Sequence, residues 1–158
     1  MLTGARTELH WAAQLPSAVG ATWLPAAADY AHTNLGWDEA LGVVVGRPVG
    51  PEHLRAGLVF ESLELVVLEG ERERATLGLA GHDVSSALEW LREQMGPGQP
   101  PLALPSHDMP DHPVARGGAF PDGDSHGRAE LSIWFANASN AIRRAVSNEE
   151  TASTVRCW

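Results

Sequence analysis

The sequence predicts an α+β fold: a mostly antiparallel sheet with two or three helices packed on one face. Three observations predict it. Apolar residues recur at helical spacing over residues 83–95 and 128–146. From Leu58 to Leu79 they recur at about every second position, the period of a half-buried strand. The order of elements (helix, strands, helix, long loop, helix, strand) breaks strict βαβα alternation and so favours an antiparallel or mixed sheet. The 158 residues suit one domain, 1–158.

Residues 7–15 predict a first helix, with Thr7 as its cap, Glu8 near the positive dipole end, and Leu9, Ala12 and Ala13 on one face. Pro16 is expected to end or kink it, with a second helical piece over 17–24. Residues 32–37 and 41–45 predict short strands, and Pro48, Gly50 and Pro51 a loop. Residues 63–68 and 72–79 predict a hairpin joined by Glu69-Gly70-Glu71, with a bulge or turn at Ser62–Leu63. Asp83 should cap the helix over 83–95, whose stripe is Val84, Ala87, Leu88, Leu91 and Met95. Gly96 should close it in a left-handed conformation, and Pro97 prevents continuation.

Residues 96–127 are aperiodic and rich in Pro, Gly, Asp and His, with a short strand expected at 102–104. Ser125 or His126 should open the last helix, whose apolar face is Leu131, Trp134, Phe135, Ala138, Ala141, Ile142 and Ala145. Trp90 and Trp134 read as core. Residues 154–158 begin a further strand, whose edge would recruit a second copy and make a homodimer.

Composition narrows the function. The chain carries 11 basic and 20 acidic residues, a net charge of −9. That opposes nucleic acid and anionic membrane as partners. No apolar run approaches the roughly 20 residues that span a bilayer. The single cysteine, Cys157, excludes an intrachain disulfide, and residues 1–15 carry no signal-peptide pattern. A cytoplasmic, soluble, acidic protein is the expectation.

Two residue groups carry chemistry. His107, Asp108, Asp111 and His112 bring two imidazoles and two carboxylates into six residues, with Asp122, Asp124 and His126 following. Imidazole with carboxylate suits a divalent metal such as zinc, manganese or non-haem iron. The spacing matches no specific metal motif, and Asp beside Pro is also ordinary turn chemistry. The second group is an aromatic pocket for a small organic ligand lined by Trp11, Trp37 and His32, one of several settings for the six tryptophans. There is no Gly-x-Ser-x-Gly elbow, and no lysine to complete a phosphate loop.

Several segments form a set: LHWAAQ at 9–14, DYAHTNLGWD at 29–38, the 63–79 hairpin, Trp90-Leu91, PDHPV at 110–114, Phe120, WFANA at 134–138 and TVRCW at 154–158. Together, over nearly the whole chain, they resemble an uncharacterised bacterial family of proteins of unknown function. The resemblance implies α+β architecture and assigns no activity. In that family the last strand continues into Pro-His-His-Phe-Asp. This chain therefore resembles its N-terminal part, truncated before a His-His-x-Asp group that would join His112 or His32. Two function classes follow: a domain binding a small ligand or a partner, and a metal-dependent enzyme using the His/Asp cluster of the 105–126 loop.

Overall fold

The computed structural model describes residues 2–106 and 108–147. The N-terminal segment forms one helix, α1 (Leu2–Trp23), which runs through Pro16. The expected end at Pro16, with a separate piece over 17–24, is thus corrected to one continuous helix. A proline inside a helix costs about 3 kcal/mol. Here every residue from Trp11 to Gly20 is buried, and interrupting the helix would withdraw Leu15 and Val19 from the core. Burial of each such side chain contributes roughly 1.5–3 kcal/mol, so packing outweighs the local rule. Thr7 is not a cap; its hydroxyl donates to the Thr3 carbonyl within the helix, at 3.1 Å.

Strands β1 (Gly36–Asp38), β2 (Val43–Val45), β3 (Leu54–Val59), β4 (Glu64–Glu69) and β5 (Arg72–Gly78) follow in order. They pair antiparallel with each chain neighbour, in the order β1-β2-β3-β4-β5. The expected strand over 32–37 shrinks to β1, because residues 28–33 coil through turns instead. The phase break at Ser62–Leu63 is a tight turn: the Leu63 amide donates to the Phe60 carbonyl, and Leu63 has φ 54°. The β4–β5 hairpin closes on Gly70-Glu71, with Glu69 opposite Arg72 and a register shift between Val67 and Leu68.

Helix α2 (Val84–Met95) starts where expected, the Asp83 carboxylate accepting from the Ser86 amide at 2.8 Å. Gly96 is extended, with φ −165°, rather than left-handed; Gly98 takes the positive φ. Residues 102–104 form no strand. The long loop holds one 3-10 turn, Pro113–Arg116, and its Phe120 bridges Ala80. Leu102, Val114 and Phe120 are buried, so this aperiodic loop is part of the core. Helix α3 (Ser125–Val146) completes the described fold, capped by Asp124, whose carboxylate accepts from the Gly127 amide at 2.9 Å. The strand expected at 154–158 lies outside the described residues.

The architecture is α+β, with the helices on one face of the sheet. Leu9, Leu15 and Val19 of α1, Ala87 and Leu91 of α2, and Leu54, Leu58, Leu65 and Val67 of the sheet share one core. Leu131 and Phe135 of α3 pack against it. A smaller cluster of Val43, Val45, Val66 and Leu68 gathers the alternate positions of β2 and β4. Trp134 is corrected: it is 64% exposed, while Trp90 is half-buried against the core.

One close approach fixes how the 24–35 segment returns over α1. A Cβ on Gly20 would lie 1.9 Å from the His32 carbonyl oxygen. Backbone stands there, so no side chain can move aside. Gly20→Ala is expected to cost about 3 kcal/mol, the upper end for overpacking, and to lower the Tm in a thermal melt by roughly 5–10 °C.

Candidate functional site

The α1–α3 cleft supplies the best-formed cavity. On α1, residues Arg6 and His10 are four apart and therefore share a face, with Thr7 and Leu9 beside them. Leu131 and Phe135 are four apart on α3 and face back toward α1. Phe60, at the end of β3, and Pro110, from the long loop, complete the lining. The volume of this half-open cleft is about 330 Å³, within the usual range for small-molecule sites.

Contacts outside and across the cleft hold its walls. Phe60 is buried and meets Phe135 edge-on, with centroids 5.0 Å apart and planes at 86°. Trp37 meets Phe60 at 5.9 Å and 62°. Pro110 is anchored because its carbonyl accepts from the Trp11 indole N–H at 3.1 Å. Below the cavity, Arg128 of α3 reaches Glu8 of α1 at 3.0 Å, both side chains only 5% exposed. The Arg128 Nε also donates to the Glu61 carbonyl at 3.2 Å. This buried pair ties α1 to α3. The lining is apolar in its walls and polar in Arg6, Thr7 and His10. Arg6 is exposed, and among the described residues no ion pair engages its guanidinium.

The residues singled out from sequence only partly come together: Trp11, Asp108 and Asp111 line one open surface pocket with Leu104, Met109 and Ala115, and the others lie apart from it. Trp11 and Trp37 are both buried in the main core, 4% and 5% exposed. His32 is half-buried outside it, its Nδ1 accepting from the Ala27 amide at 3.1 Å and its ring stacked on Tyr30. None of the three lines the α1–α3 cavity. In the long loop, Asp111 is exposed and paired with Arg116 at 3.3 Å. Asp108 is exposed beside Met109. The His112 Nδ1 accepts from the Val114 amide at 3.4 Å as the cap of the 3-10 turn. His126 is exposed in the first turn of α3. His107 lies outside the described residues. Among the described residues, no three His, Cys, Asp or Glu side chains stand close enough to hold a metal ion.

Sequence reading missed the cavity because its walls come from four distant segments. The available signal was Arg6 and His10 flanking Leu9 on α1, a polar pair beside a core position. Among the described residues, no helix is long and apolar enough to cross a membrane. The chain matches no family model, no curated protein and no solved structure.

Proposed function

We propose that this chain is a ligand-binding domain whose α1–α3 cavity takes a small amphipathic carboxylic acid. One observation carries the reading: an apolar cavity of about 330 Å³ has among its lining residues the Arg6 guanidinium, which no ion pair engages among the described residues. Leu9, Phe60, Leu131 and Phe135 would surround a short hydrocarbon or aryl group. Arg6 would meet the carboxylate with a charge-assisted hydrogen bond, helped by His10. The single cysteine fits a reducing, cytoplasmic setting for such a domain.

Isothermal titration with octanoate and with 1-octanol tests it. Both are expected to bind, octanoate more tightly. Arg6→Ala should weaken octanoate roughly tenfold, equal to about 1.4 kcal/mol, and leave octanol unchanged. If neither compound binds the wild-type protein, or if Arg6→Ala weakens both equally, the assignment is wrong.

A further inference from the structure

Helix α3 has two dissimilar faces. Leu131, Phe135 and Ala136 lean on the core, and Arg128 and Ser139 are buried. Rotated from the middle of that face by roughly a quarter turn is Trp134, with Ala138, Ala141 and Ala145 following at spacings of four, three and four. That spacing draws a continuous stripe along one side of the helix. Trp134 is 64% exposed, the three alanines are exposed, and Ile142 at the stripe's margin is 47% exposed. Scattered exposed hydrophobes are ordinary. A tryptophan leading an apolar stripe on a 22-residue helix is an exposed patch of the kind that marks interaction surfaces.

We infer that this stripe is the contact between two copies of the chain, α3 packed antiparallel on α3 about a two-fold axis near residues 137 and 138. The stripe is bulky at one end and small along the rest. An antiparallel two-fold lays Trp134 of each copy over Ala138 and Ala141 of the other, so each large side chain meets a space left by small ones. A parallel pairing would set tryptophan against tryptophan and alanine against alanine.

The charges select the same arrangement. Glu130 and Arg144 lie 14 residues apart, close to four turns, which is about 21 Å along the axis. Both therefore fall on one flank of the stripe, at its opposite ends. An antiparallel two-fold brings matching flanks together, so Glu130 faces the partner's Arg144, and the pair forms twice. Among the described residues neither side chain has an ion pair within its own chain; Arg143 instead engages Glu39. Flanks with one charge of each sign suit a copy of the same surface better than a strongly charged partner, despite the net charge of −9 on each copy.

Light scattering coupled to size exclusion, on the full chain over a range of concentrations, tests the inference. The wild type should show twice the 16.9 kDa chain mass. Trp134→Glu should be a monomer with an unchanged far-UV circular dichroism spectrum, since the side chain is exposed. Glu130→Arg alone and Arg144→Glu alone should each raise the dimer Kd about tenfold, through two lost pairs and new like-charge contacts. The double reversal Glu130→Arg with Arg144→Glu should restore it. A wild-type monomer at millimolar concentration overturns the inference. So does a dimer that survives Trp134→Glu, or a double reversal that fails to recover association.

Discussion

Arg128→Ala is expected to lower the stability of the fold by about 3–5 kcal/mol, the cost of stranding a buried charge. The guanidinium ties three elements. It donates to Glu8 of α1 and to the Glu61 carbonyl in the turn between β3 and β4, from the first turns of α3. Removing it leaves the Glu8 carboxylate in a site where its side chain is 5% exposed. That carboxylate is already under-served, since among the described residues its Oε1 has no hydrogen-bond partner. Replacing the pair by Arg128→Met with Glu8→Leu should therefore recover most of the loss, because a buried ion pair is commonly no better than apolar residues of similar volume. Urea unfolding reads both effects as a shift of midpoint at unchanged slope. Equal loss in the single and double variants would contradict this account of the pair.

Phe60→Ala carries the second large effect, about 3–5 kcal/mol. Phe60 is 1% exposed. It sits between Trp37 and Phe135, and each edge-on contact adds roughly 0.5–1.5 kcal/mol beyond area burial. The truncation also removes a wall of the α1–α3 cavity and merges the space it occupied with the cleft. Phe60→Leu keeps most of the volume and should cost under about 1.5 kcal/mol. Chemical denaturation distinguishes the two, and a loss below about 1 kcal/mol for Phe60→Ala would mean the aromatic cluster does not hold β3 against α3.

The elements whose periodicity is set by one buried face were legible. The 63–79 hairpin and the 83–95 helix fall close to the expected bounds because their apolar residues repeat at the right interval and their ends carry Gly70 and Asp83. Two readings failed for opposite reasons. At Pro16 a local rule was trusted, yet burial of the residues on both sides decided the outcome. On α3 the apolar residues span more than half the circumference. Periodicity alone does not say which half meets the sheet: Leu131 and Phe135 do, and Trp134 does not. The anchors of the long loop, Leu102, Val114 and Phe120, had no period to betray them, because their positions are set by what they dock against.

The site was less legible than the fold for the same reason. Histidines and aspartates close in sequence suggested a cluster at 107–126, yet the described members separate into a cap, a surface ion pair and exposed positions. The cavity instead joins residues 6, 60, 110 and 135, which only the packing of α1 and α3 over the sheet brings together.

The most direct test is a methyl-resolved NMR titration of the full chain with octanoate. The leucine methyl signals of Leu9 and Leu131 should move together and saturably, while those of Leu68, in the cluster formed by the alternate positions of β2 and β4, stay fixed. Shifts confined to other leucines, or shifts of every leucine alike, would contradict a binding cavity between α1 and α3.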